Sequence, residues 1–116
     1  MSREWALKTL VGFGLSQVEA EVYFFLAQAS LVKGRDITKT LKLHKRQVYR
    51  SLKSLRAKGM IQATRERPAR FSAVSLERVL DQFMKTKKEQ AKALQASRKE
   101  LLSTWSSLIE KDSAES

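Results

Sequence analysis

The sequence predicts a mainly α protein of the α+β class, with short helices and a two-stranded hairpin ahead of one long helix. Three observations predict it. Apolar residues recur at helical spacing up to Lys58, with caps and glycines at the joints. The period shortens to that of strands between Met60 and Val74, around the single proline, Pro68. From Ser75 onward there is neither glycine nor proline to interrupt a final helix.

Taken in order, Trp5, Ala6, Leu7, Leu10 and Val11 mark a short first helix over residues 2–11, broken by Gly12 and Gly14. Trp5 is expected to pack on the core, with a contact to a second subunit as the alternative. Ser16-Gln-Val-Glu19 is a capping box, in which the Ser16 hydroxyl accepts the Glu19 N–H and the Glu19 carboxylate reaches back. The helix that follows, Gln17 to Ala29, is apolar nearly all round and is expected to be the buried centre. Leu31 and Val32 suit a very short strand. Gly34 opens a second short helix, Arg35–Leu41, with Ile37 and Leu41 facing inward. Lys42-Leu43-His44 then leads tightly into a third helix that ends at Gly59, a residue that accepts the left-handed conformation of a helix C-terminus. Val48, Leu52 and Leu55 form its apolar stripe at i, i+4, i+7, and Lys45, Arg46, Gln47, Arg50, Lys53 and Ser54 lie off it. Met60–Arg65 and Phe71–Val74 read as strands around a tip at Glu66–Arg70. Helix, helix, helix and hairpin in that order predict a winged helix-turn-helix with a β-hairpin wing over residues 1–75.

Residues 76–116 are expected to form the second part. Ser75 is a suitable N-cap, and a helix from Leu76 to Lys111 would run on the order of 54 Å at 1.5 Å per residue. Positions spaced 4, 3, 4, 3 read Leu80, Met84, Lys87, Ala91, Leu94, Arg98, Leu101, Trp105 and Leu108, a heptad seam interrupted by two cations. A domain of this size cannot cover so long a stripe, so a long C-terminal dimerisation helix is expected. It would pair antiparallel or in the manner of a coiled coil, over a short contact region from Ala91 to Leu108. Leu102 and Ile109 widen the stripe, so packing against the N-terminal helix of the other subunit is the alternative. Trp5 and the seam residues Leu80, Met84, Ala91, Leu94, Leu101, Trp105 and Leu108 are the candidate dimer contacts.

Charge indicates the partner. Of the 116 residues, 23 are Lys or Arg and 12 are Asp or Glu, a net charge of +11. Residues 33–70 hold thirteen basic and two acidic side chains, and so carry +11 by themselves; residues 1–32 carry −1 and residues 71–116 carry +1. Such clustering is the electrostatic footprint of a polyanion binder, with nucleic acid ahead of other acidic partners, and the helix-turn-helix pattern makes double-stranded DNA the expected one. Arg46, Gln47 and Arg50 are candidates for base edges, since arginine can hold guanine, and glutamine adenine, through two hydrogen bonds. His44, Lys45, Lys53, Lys42 and Lys39 are placed for phosphates. Arg65, Arg67 and Arg70 of the wing suit a minor groove and its flanking backbone.

The same composition narrows the other classes. There are no cysteines and one histidine, so disulfides and thiolate or His-rich metal sites are not expected, nor is any cofactor. No membrane span, signal peptide or small-molecule ligand site is evident, and a cytoplasmic, nucleoid-associated protein is expected. An enzyme is not expected, because no nucleophile–base pair or glycine-rich phosphate loop is present. A transcriptional regulator is the leading expectation. A basic architectural protein with little sequence preference and a winged-helix protein-interaction module are the alternatives.

The chain resembles the TrmB-like winged-helix transcription regulators common in archaea. The matching stretches are Gly12-Phe-Gly-Leu-Ser16 with Glu19, Ala20 and Tyr23; then Val48-Tyr49, Leu52, Leu55, Gly59 and Ile61; then Arg67-Pro68, Phe71 and Ala73-Val74, over about residues 10–75. MarR-like and Lrs14-like dimeric families share much of the pattern. Gly34-Arg-Asp-Ile-Thr38 is more polar than the family's second helix, and Arg67 stands where a glycine usually precedes the wing proline. Nothing after Ser75 matches the sugar-sensing domain of the larger members. The resemblance implies the fold, DNA binding through the third helix and the wing, and dimers held by the C-terminal helix. It also implies that Tyr49 is the family's aromatic of the recognition helix, packed at the helix base and able to reach a phosphate.

Overall fold

The structure, a computed structural model, describes residues 2–115, with side chains described for residues 2–112. Its elements are α1 (Arg3–Gly12), α2 (Gln17–Gln28), β1 (Val32–Lys33), α3 (Gly34–Leu41), α4 (Lys45–Ala57), β2 (Ile61–Ala63), β3 (Arg70–Ala73) and α5 (Leu76–Glu115). The chain forms two compact units, Met1–Val79 and Leu80–Ser116. The first turn of α5 thus falls within the first unit, where Val79 is buried.

Local chemistry explains the joints. Ser2 caps α1 by accepting the Trp5 N–H at 3.2 Å, and α1 ends ahead of Gly14, whose φ of +108° few side chains tolerate. The α2 capping box is complete: the Ser16 hydroxyl accepts the Glu19 N–H at 3.1 Å, and Glu19 Oε1 accepts the Ser16 N–H at 2.9 Å. Ser75 caps α5 by accepting the Arg78 N–H at 3.4 Å.

The three strands form one antiparallel sheet in the order β1-β3-β2. Ile61 pairs with Ala73 and Ala63 with Phe71, while Val32 pairs with Phe71 and Lys33 with Arg70 across the other edge of β3. Two bonds close the wing loop: the Thr64 N–H donates to the Arg70 carbonyl and the Arg70 N–H to Thr64 Oγ1, each at 2.9 Å. Arg70 therefore begins a strand instead of sitting at the tip.

The core lies among α2, α3, α4 and the sheet. Val22, Leu26, Ile37, Val48, Leu52, Leu55 and Met60 are fully enclosed. Each such aliphatic side chain contributes roughly 1.5–3 kcal/mol by leaving water. The expectation that α2 is buried all round fails. One face, with Ala20, Val22, Tyr23 and Leu26, faces the core, while Phe24 and Phe25 are half-buried and Ala27 is exposed. Arg3 covers the Phe24 ring at 5.4 Å. The core also leaves out Trp5, which is 54% exposed, because Leu7 and Leu10 form the docked face of α1.

In the second unit α5 is a single helix. It runs beyond Lys111 because Asp112 to Glu115 contain no residue that stops it. Met84, Leu94, Leu101, Leu102, Trp105, Leu108 and Ile109 are all at least half exposed, Ala91 is exposed, and Leu80 is half-buried.

Candidate nucleic-acid interface

Helix α4 turns its apolar stripe, Val48, Leu52 and Leu55, into the core together with Ser51. That orientation fixes every other side chain. At about 100° per residue, Arg46, Arg50, Lys53 and Ala57 form the outermost line of the helix, opposite the buried stripe. All four are exposed. One flank carries Lys45, Tyr49 and Arg56, and the other carries Gln47, Ser54 and Lys58.

The first flank faces the sheet. Tyr49, Leu52, Lys53, Arg56, Ala57 and Phe71 line an open hollow there. The Tyr49 ring lies over Gly34, where an added Cβ would stand 2.5 Å from the Tyr49 hydroxyl oxygen. Gly34 thus makes room for the aromatic ring, which remains 42% exposed, and Lys45 stands 5.9 Å above its face. Arg56 was not among the expected DNA-binding residues. Its position seven residues after Tyr49 and three after Lys53 is the helical spacing that places it on this flank.

The second flank faces the start of α2. Ser16, Val18, Glu19, Gln47, Arg50, Ser51 and Ser54 line a hollow between the two helices. Gln47 therefore lies to one side of the Arg46–Arg50 line. Glu19, only 7% exposed, does more than cap its own helix. Its Oε2 accepts the Ser54 hydroxyl at 2.7 Å and the Lys58 ammonium at 2.9 Å. Burial pushes this carboxyl up, but the Ser16 N–H, Lys58 and Ser54 outweigh burial and hold it at about 2, below an ordinary 4.5. One side chain so ties the start of α2 to the last turn of α4. The sequence signalled only the local half of this role.

The turn before α4 is also specific. Lys42 caps α3 in the left-handed conformation, φ 55° and ψ 39°, where glycine is the usual residue. His44 caps α4, its Nδ1 accepting the Arg46 N–H at 3.3 Å. His44 therefore stands just before the helix, with Nδ1 engaged. Lys39 and Lys42 are exposed on α3 and at its end, and Arg65, Arg67 and Arg70 are exposed along the wing. Arg70 lies 3.9 Å from Glu66, an exposed ion pair of little energetic weight. Among the described residues no group of three or more His, Asp or Glu side chains is arranged to hold a metal, and no helix is long and apolar enough to cross a membrane.

A helix-turn-helix, a three-stranded sheet with a wing, and a cationic outer line on the second helix of the motif define the winged helix-turn-helix fold that DNA-binding transcription regulators use. The family model described as the sugar-specific transcriptional regulator TrmB matches residues 10–77, and the chain belongs to the TrmB family. That family consists of regulators, not enzymes. Among solved structures, TrmBL2, described as an archaeal chromatin protein with a novel mode of DNA binding, superposes with a TM-score of 0.77 at 23% identity, over 95% of this chain and 46% of its own. The present chain thus spans about half the length of TrmBL2. A possible transcriptional regulator from Methanosarcina mazei gives 0.62 at 19% identity, over 78% of this chain and 82% of its own. MepR, which regulates the Staphylococcus aureus multidrug efflux pump MepA, gives 0.54 at 18% identity, over 97% and 89%. At these identities the likeness establishes the fold. No curated protein matches the sequence significantly.

Proposed function

We propose that the protein is a homodimeric, sequence-preferring regulator that places α4 in the major groove of double-stranded DNA and its wing on the minor groove and backbone. The observation that carries this reading is the outer line of α4. Arg46, Arg50 and Lys53 project from a helix held by its buried opposite face, as groove entry requires. Arg46 and Arg50 are the base readers on this line, with Gln47 reading from its edge. Lys39, Lys42, Lys45, Lys53 and the free Nε2 edge of His44 contact phosphates, as does the Tyr49 hydroxyl. Arg65, Arg67 and Arg70 hold the wing to the adjacent backbone. The left-handed Lys42 supports its own assignment, because a non-glycine residue there costs about 1 kcal/mol that a cationic side chain facing DNA would offset. The exposed apolar stripe of α5 supports the dimer, and exposed Trp5 is a second candidate contact.

A second reading is a chromatin-type protein that coats DNA with little preference. It is favoured by the scarcity of neutral readers, since among the exposed side chains on the outer line and both flanks of α4 only Gln47 presents a side-chain amide. Selection of bound fragments from genomic DNA separates the two. Recovery of an inverted repeat, with half-sites about one helical turn apart or a multiple of it, supports the regulator. Broad, unpatterned recovery supports the coating protein, and recovery of no DNA refutes both.

A further inference from the structure

From the pattern of charge and size along α5, we propose that two copies of the chain pair through antiparallel α5 helices, in a register centred between Lys99 and Glu100. The inference rests on the dimer proposed above and specifies its geometry. The stripe that needs cover is Ala91, Leu94, Leu101, Trp105 and Leu108, exposed along one side of a lone helix. The same seam contains Lys87, Arg98 and Asp112, which decide the orientation.

In a parallel, in-register pair each seam residue meets its own copy. Lys87 would face Lys87, Arg98 would face Arg98, and Asp112 would face Asp112, three like-charge layers in a buried seam. Trp105 would also face Trp105, while Ala91 facing Ala91 would leave a gap. In an antiparallel pair, heptad geometry sets each seam position against the alternate kind of position on the other helix. One register pairs every seam residue from Lys87 to Asp112. Lys87 opposes Asp112, Ala91 opposes Leu108, Leu94 opposes Trp105, and Arg98 opposes Leu101. Opposite charges meet, small residues meet large ones, and each arginine stem lies along a leucine with its head group free to reach water.

Charge along the whole helix agrees. Leu80–Lys99 holds six basic and two acidic side chains, and Glu100–Ser116 holds one basic and four acidic. Antiparallel overlap lays each positive half on a negative half, and parallel overlap lays like on like. The paired stretch covers about 39 Å at 1.5 Å per residue.

The chain has no cysteine, so a single Lys85→Cys substitution on the outer side of the helix gives a unique spin-label site. In the 116-residue chain, a dimeric mass by light scattering with a label-to-label distance of about 44 Å is expected, from the helical rise. A dimer with a distance of about 15–30 Å, set by the width of the helix pair and the outward labels, is parallel and overturns the inference while leaving the dimer standing; any other long distance refutes the register. A monomer at high protein concentration refutes the dimer itself. Charge exchange gives an independent readout. Lys87→Asp should weaken the dimer on the order of threefold to tenfold, and adding Asp112→Lys should restore it. Failure of that rescue overturns the Lys87–Asp112 pairing.

Discussion

Replacing Glu19 with glutamine keeps the size of the side chain and removes its charge, so it isolates what the carboxylate does between α2 and α4. The carboxylate takes the Ser16 N–H at 2.9 Å, the Ser54 hydroxyl at 2.7 Å and the Lys58 ammonium at 2.9 Å, from a residue only 7% exposed. Its pKa falls from an ordinary 4.5 to about 2 in the fold. A shift of that size corresponds to about 3 kcal/mol at about 1.4 kcal/mol per unit. Because the folded value is the lower one, this stability is fully present above about pH 4.5 and is lost as pH falls toward 2. At pH 7, Glu19→Gln should therefore lower stability by about 2–3 kcal/mol. For a domain of this size that corresponds to a fall in Tm of roughly 8–20 °C. Both tryptophans are largely exposed and make poor reporters, whereas Tyr23 is buried and donates its hydroxyl to the Val74 carbonyl at 2.7 Å. Urea unfolding followed by tyrosine near-ultraviolet dichroism and by helix signal, at pH 7, 4.5, 3 and 2, measures the effect. The gap between the two proteins should shrink as pH falls, because the native carboxyl becomes protonated and resembles the amide. Equal stability at pH 7, or a gap that stays constant down to pH 2, would show that Glu19 does not bind α4 as the geometry requires.

Four further outcomes are expected. Arg50→Ala should cost about 1–3 kcal/mol and relax preference at one base position, as read by binding to a panel of single-base operator variants; unchanged preference removes Arg50 as a reader. Neutralising Arg67 and Arg70 together should weaken binding alike on every sequence and reduce the slope of log affinity against log salt by about 0.9 for each phosphate no longer neutralised. Lys42→Gly should raise stability by up to about 1 kcal/mol while lowering DNA affinity, because glycine relieves the left-handed cap as the cation is removed. Gly34→Ala should displace the Tyr49 ring and lower Tm, and the penalty should vanish in a Tyr49→Ala background, since the added methyl then meets no ring.

Features that depend on neighbours along the chain were legible in the sequence. Ser16 and Glu19 specify a helix start because the bonds of a capping box span three residues. Val48, Leu52 and Leu55 specify the buried side of α4 because the helical period alone places them together. The run from Ser75 onward specifies a long helix because nothing in it breaks one. The concentration of charge in residues 33–70 is likewise a property of composition, and it pointed to a polyanion partner; the resemblance to the TrmB-like regulators rested on particular residues, Val48-Tyr49, Leu52, Leu55 and Gly59 above all. What meets across the fold was legible only in three dimensions. Glu19 reaches Ser54 and Lys58 some 35 and 39 residues away, and no local pattern encodes that reach. Tyr49 settles over Gly34 because the helix-turn-helix brings the start of α3 against α4, and Val32 finds Phe71 because β3 offers a free edge. Trp5, apolar enough for any core, stays outside because Leu7 and Leu10 already fill the docked face of α1. Periodicity states which side chains share a face, and only packing between distant segments decides what that face meets.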